Sequence, residues 1–293
     1  MPAEPQLGRH SDGSLKQESG GFFALRIVPE TGCRVVNPDA EPQRTAESFM
    51  ASIFITGSAD GLGQLAARAL SGQGHRVVLH ARNVERGQYA RDKVPGAEHV
   101  LIGDLSDLDE TKAVARAANA WGRFDAVIHN AGVYRASSQE ILAVNTLAPY
   151  ILTCMIHKPN RLIYLSSGMH MQGRANLKHF GAAGSRISYS DSKLHVLMLC
   201  MAVARNWPDI YANAVDPGWV PTKMGGRSAP DDLQEGFETQ TWLAVSDEPG
   251  AKISGRYFFH RVERPFNPYA GDVMLQERFL GTCEEITGMA FPV

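Results

Sequence analysis

The sequence predicts an α/β protein built on one doubly wound parallel sheet in a single domain. Three observations carry that prediction. Short apolar runs that read as buried strands alternate with longer stretches of helical periodicity from residue 52 to residue 216. The first run leads directly into a glycine-rich turn and a helix-forming stretch. The residues capable of chemistry fall just after the strands, at the edge of the sheet where right-handed crossovers leave a crevice.

Composition bounds what such a fold does. A chain of 293 residues buries a substantial core, and 44% apolar with 20% charged residues is ordinary globular composition. A net charge of -2 gives no bulk attraction to nucleic acid or to an anionic membrane. Cys33, Cys154, Cys200 and Cys283 are scattered, and the ten histidines show no ligand spacing. No metal site is expected, and the cysteine pattern favours a reduced, cytoplasmic setting. No apolar run has transmembrane length, Phe22 to Val28 being too short, and the polar, acidic start does not read as a secretory signal.

Residues 1–49 are rich in Pro, Gly, Glu, Gln and Ser and read as a flexible N-terminal extension, with Phe22 to Val28 a strand or an interface hook. The character changes at Met50, a candidate initiator, so the folded unit is expected over 50–293. Ser52 to Ile55 is the first strand, and Thr56-Gly57-Ser58-Ala59-Asp60-Gly61-Leu62-Gly63 the turn into a helix over Gln64 to Leu70. Strand, glycine turn and helix set backbone N–H groups and a helix N-terminus against a pyrophosphate. The second strand, His75 to His80, ends in Ala81-Arg82-Asn83. An acid here would bind an adenosine 2′-hydroxyl, whereas Arg82 accommodates a 2′-phosphate, so NADP(H) is favoured over NAD(H).

A polar helix over Arg82 to Lys93 leads to a third strand, Ala97 to Ile102, whose end carries Asp104 and Leu105; the aspartate is placed to accept from an adenine amino group. After a helix over Asp107 to Trp121, a fourth strand (Phe124 to Ile128) ends in His129-Asn130-Ala131-Gly132, bringing small residues close to the cofactor. Asn145 lies on the helix running to Cys154. A fifth strand, Arg161 to Leu165, ends in Ser166-Ser167-Gly168, and a sixth, Ile210 to Val215, in Asp216-Pro217-Gly218-Trp219. A helix over Thr239 to Val245, a last strand over Ser254 to Phe259 and a terminal helix over Asp272 to Thr287 complete the chain.

Between the fifth and sixth strands, Tyr189 and Lys193 stand four residues apart at the start of an apolar helix with Leu194, Leu197, Met198 and Met201 on its core side. A neighbouring ammonium favours the phenolate, so Tyr189 is expected to have a lowered pKa and to exchange a proton with an alcohol or carbonyl oxygen.

Together these motifs resemble the short-chain dehydrogenase/reductase family, a Rossmann-type fold. The matches are Thr56 to Gly63, Asn130 to Gly132, Tyr189 to Lys193, and Pro217-Gly218 with Thr222. The resemblance implies hydride transfer between NADP(H) and a small carbonyl or alcohol substrate. Tyr189 would be general acid in reduction and base in oxidation, with Lys193 lowering its pKa and binding the nicotinamide ribose. Ser167, rather than Ser166, would orient the substrate oxygen. Asn145 would hold a relay water or, equally, pack structurally. Thr222 would contact the nicotinamide carboxamide and Val220 its edge, and 224–236 would be a mobile lid. His129 replaces a usual asparagine. The long interval from Ser167 to Tyr189, with His179, is similar to the retinol-dehydrogenase-like branch and offers apolar contacts to a partly hydrophobic substrate. Shortened helices around Asn145 leave homodimer and monomer both open. The alternatives are a nucleotide-sugar isomerase or lyase, whose glycine spacing differs, and a non-catalytic NADP(H) sensor.

Overall fold

The computed structural model describes residues 50–175, 177, 180 and 186–292. The extension expected over residues 1–49 and the loop residue His179 lie outside the described residues. In chain order the strands are β1 (Ser52–Ile55), β2 (Arg76–Ala81), β3 (His99–Ile102), β4 (Ala126–His129), β5 (Arg161–Leu165), β6 (Tyr211–Asp216), β7 (Arg256–Phe259) and β8 (Val262–Glu263). The helices are α1 (Gly61–Gly72), α2 (Val84–Lys93), α3 (Leu108–Trp121), α4 (Ser138–Leu142), α5 (Ala148–Met155), α6 (Tyr189–Asn206), α7 (Glu235–Val245) and α8 (Val273–Thr287).

One sheet runs in the order β3-β2-β1-β4-β5-β6-β7-β8, parallel as far as β7. Strand order reverses between β1 and β4, which pair through Ile53–Ala126 and Ile55–Ile128. Crossovers leave a crevice at such a reversal. Both faces are covered, so the inner strands are apolar throughout instead of alternating. Phe54, Val127, Leu162 and Ala214 join a core with α3, α5, α6 and α8, while Ile53, Ile55, Ile163 and Val215 join one with α1, α2 and α7.

Side-chain caps set the helix starts. Asp60, Asn83, Asp107 and Asp272 each accept a first-turn amide. Because Asn83 takes the extended cap conformation, α2 begins at Val84 and not at Arg82 as the sequence suggests. The helix around Asn145 is interrupted by a π-helical turn over Ala143–Leu147. One further strand was not foreseen: β8 returns antiparallel on β7 through Phe259–Val262 pairing. Its two-residue turn uses His260 and Arg261, both with positive φ (49° and 60°), the geometry a tight hairpin demands.

Candidate active site

The glycine turn and the segment after β4 are packed backbone to backbone. Gly57 has φ +63°, and a Cβ there would lie 2.8 Å from Ala131 Cα; one at Gly63 would lie 2.3 Å from Asn130 Nδ2. Asn130 Nδ2 donates to the carbonyls of Thr56 and Gly57, and Ala131 N–H donates to Thr56 Oγ1 at 3.0 Å. The loop is tied to β2 as well. Gly57 N–H donates to His80 Nδ1 at 3.0 Å, and His80 Nε2 reaches Gly103 O at 2.9 Å. Burial drives the His80 pKa down to about 4, so the ring is neutral and keeps its lone pair on Nδ1 for Gly57.

Gly61 contrasts with its neighbours. It has φ +55°, and a Cβ there would meet only Thr222, at 3.9 Å. The positive φ, and not crowding, calls for glycine here, and the uncrowded backbone lies at the α1 N-terminus, where first-turn amides and the helix dipole favour an anion. Leu62 follows it in that turn. Asp60, at the N-cap, binds Gly61 N–H at 2.8 Å and pairs with Arg86 at 3.1 Å and with Lys223. Burial works to raise the Asp60 pKa, but the Lys223, Gly61 and Arg86 contacts together hold it below the ordinary carboxylate value.

Not every residue of the motif faces this opening. The Ser58 side chain is fully buried, donating to Ile55 O and accepting from His80 N–H. Leu105 is a core residue, and Asp104 Oδ1 accepts from both Ser106 N–H and Oγ. Arg82 is exposed at the end of β2. Arg86, one turn into α2, instead contacts the glycine loop at Ala59 O and Asp60. The sequence reading does not single it out, because Arg86 lies inside α2 while Arg82 precedes the Asn83 cap.

The Tyr189 end of the site is built on α6, whose start is fixed by a reciprocal capping box between Ser188 and Asp191. Lys193 is buried; its Nζ donates to Leu165 O at 2.8 Å and lies 5.4 Å from the Tyr189 ring centroid. Ser166 Oγ is committed to Lys193 O at 2.9 Å, whereas Ser167 Oγ accepts from Met169 N–H at 3.3 Å and acts to lower the Tyr189 pKa. Asn145 Oδ1 accepts from Val133 N–H at 2.8 Å, and its amide donates to Val133 O and Ser192 Oγ. Both amide N–H groups are thus committed to holding the loop after Gly132 against α6.

The electrostatics correct one expectation. Burial pushes the Tyr189 pKa up to about 12, against the lowering by Ser167, and Asp216 pushes the same way as burial. Lys193 is itself lowered to about 8 by burial, opposed by Asp216. Its ammonium is directed at Leu165 O, so the anticipated lowering of Tyr189 is outweighed by desolvation. Asp216, which the sequence reading took only as a strand end, accepts from Gly218 N–H and Tyr257 OH, each at 3.0 Å. Beyond Pro217, Gly218 has φ +78°, and Asp231 accepts from Trp219 N–H. Val220 is buried beneath this segment. Among the described residues no cluster suited to a metal ion is present, and no helix is long and apolar enough to cross a membrane.

The chain matches known proteins across this whole region. Residues 51–233 match the family of short chain dehydrogenases. An uncharacterised oxidoreductase of Emericella nidulans is 47% identical over 256 residues, covering 83% of this chain and 99% of the relative. A short-chain dehydrogenase of Gibberella zeae is 41% identical over 259 residues, again covering 83% and 99%. A crystal structure of an uncharacterised protein from Mycobacterium paratuberculosis superposes with a TM-score of 0.70 at 25% identity, covering 84% of this chain and 97% of that one. With this family match, these relatives, its strand order and its glycine turn packed against Asn130 and Ala131, the chain belongs to the short-chain dehydrogenase family.

Proposed function

We propose that this protein is a cytoplasmic NADP(H)-dependent reductase or dehydrogenase of a small, partly hydrophobic carbonyl or alcohol. The observation that carries the reading is the grouping of Ser167 and Lys193 around Tyr189, with the Lys193 Nζ 5.4 Å from the tyrosine ring centroid. NADP(H), when bound, supplies or accepts the hydride. The chain's own residues manage the oxygen. A Tyr189 hydroxyl with its pKa near 12 is protonated at neutral pH, as a proton donor to a carbonyl must be. Ser167 adds a second donor beside it, so negative charge developing on the oxygen meets two prearranged hydroxyls.

The residues fit a phosphorylated dinucleotide. The open α1 N-terminus at Gly61 suits the pyrophosphate, and Arg82 and Arg86 are the cations available to a 2′-phosphate. Tyr134 packs edge-on to Tyr189 at 4.8 Å, and Met171, in the turn after Ser167, and Trp219, next to Gly218, are exposed, which supports an apolar substrate face.

Titration with NADPH and NADH, followed by fluorescence, tests the cofactor. Arg82→Ala and Arg86→Ala are each expected to weaken NADPH about tenfold and leave NADH unchanged, as loss of one charge-assisted phosphate contact implies. Equal affinity for both cofactors would refute the NADP(H) assignment. In a carbonyl screen, Tyr189→Phe is expected to lower turnover about a hundredfold or more without changing NADPH affinity; undiminished turnover would remove Tyr189 from the chemistry.

A further inference from the structure

Ser167 is anchored by a part of the chain that the family motifs do not include. Its carbonyl accepts two hydrogen bonds from one residue, His170 N–H at 2.9 Å and His170 Nδ1–H at 2.7 Å. With the proton on Nδ1, Nε2 carries the lone pair, and it accepts Asn267 N–H at 3.2 Å. The Asn267 side-chain amide then donates to the carbonyls of His170, Met171 and Gly173 at 3.2, 3.4 and 3.3 Å. Both residues are buried, and the His170 ring stands edge-on to Tyr257 at 4.6 Å.

The far end of the same turn is fixed to the helix that carries Tyr189. A Cβ at Gly173 would lie 2.6 Å from Ser190 O, so the turn rests directly on the first turn of α6. Arg174 N–H donates to Asp191 Oδ1 at 2.8 Å, joining it to the acid of the capping box. Ser167 and Tyr189 are therefore held in register through a short bridge, three of whose carbonyls share the Asn267 amide. Asn267 lies beyond the 51–233 stretch matched by the family.

We propose that His170 and Asn267 are positioning residues that set the Ser167 hydroxyl against Tyr189, acting through the serine main chain. The proposal rests on the reading of Ser167 and Tyr189 as the groups that meet the substrate oxygen. Neither His170 nor Asn267 exchanges a proton in the reaction. Their effect is geometric, and a displacement of about 1 Å at a catalytic group is enough to lower turnover by about a hundredfold.

The test uses the full-length protein with NADPH and phenanthrenequinone as a reactive carbonyl probe. Three variants are compared: His170→Phe, which keeps ring size and loses both ring hydrogen bonds; His170→Asn, which keeps a donor for Ser167 O; and Asn267→Asp, which loses the amide donors. His170→Phe and Asn267→Asp are expected to lower kcat about tenfold or more while NADPH Kd and probe KM stay within about threefold, and His170→Asn to recover most of kcat. Amide exchange measured on peptides covering Ser167 to Gly173 should accelerate in Asn267→Asp, with α6 unchanged. Unchanged kcat in the variants would overturn the proposal. So would a parallel fall in kcat, cofactor affinity and thermal midpoint, which marks a merely structural role. If the wild-type protein does not reduce the probe at all, the functional reading fails first; the exchange measurement then decides, and unaltered exchange in Asn267→Asp overturns the bridge itself.

Discussion

A lysine ammonium placed where no water reaches it works against folding. Lys193 has a folded-state pKa of about 8, below the ordinary 10.5, so the fold favours its neutral amine. Its contribution to stability is full above 10.5 and is lost as pH falls to about 8, below which the buried charge weighs against the folded state by about 3 kcal/mol. Replacing Lys193 by Met removes that burden along with one hydrogen bond to Leu165 O. The variant is expected to be more stable at pH 7 by about 2 kcal/mol, read from its urea midpoint, and inactive in the carbonyl assay. A less stable variant would mean that Leu165 O outweighs desolvation. The spacing of Tyr189 and Lys193 was legible in the sequence because one helical face holds both. The direction of the tyrosine shift was not, because it depends on how deeply α6 is buried, and only the packed structure shows that.

That depth belongs to the element. The sequence suggested an amphipathic helix with Leu194, Leu197, Met198 and Met201 inward, but α6 is buried all round from Ser190 to Val203. It lies against the sheet on one side and α8 on the other, so its polar residues also point into protein, where Ser192 is paired with Asn145 and Asp191 with Ser188 while His195 Nε2 has no hydrogen-bond partner. Leu197 sits at the centre of this packing, with no exposure. Leu197→Ala is expected to lower unfolding free energy by about 3 kcal/mol in a two-state urea melt; a loss below about 1 kcal/mol would mean that the site collapses around the gap. The strands and most helices were readable because their apolar runs are short and bounded by capping residues such as Asp60, Asn83 and Asp107. The β7–β8 hairpin was not, since His260-Arg261 lacks the Asn-Gly or Asp-Gly signature of its turn. Arg86 escaped because a strand-end rule points at one position, whereas its contacts with Ala59 O and Asp60 depend on how α2 packs beside the glycine loop.

Across the whole molecule, several imidazoles are kept neutral by burial. His80 and His195 are lowered to about 4, His129 to about 3, and His170 also lies below 6.5. A histidine whose folded pKa is depressed adds stability that is complete above about 6.5 and disappears as pH falls toward the folded value, because the unfolded chain binds the proton first. His80, His129 and His195 together lose up to about 4 kcal/mol per pH unit in that interval, and His170 acts in the same direction. Urea midpoints at pH 7.5 and 5.5 should therefore differ strongly, and near-equal midpoints would show that these rings are protonated in the fold. The sheet's last strand carries a different implication. β8 contributes two residues, Val262 and Glu263, both exposed, and Arg256 pairs with Glu263 across the hairpin. A border so brief and so charged offers little template for another chain to extend the ladder. Concentrated solutions of this protein should on that account resist strand-to-strand aggregation at this border, and replacing Glu263 by Val is the change that would invite it.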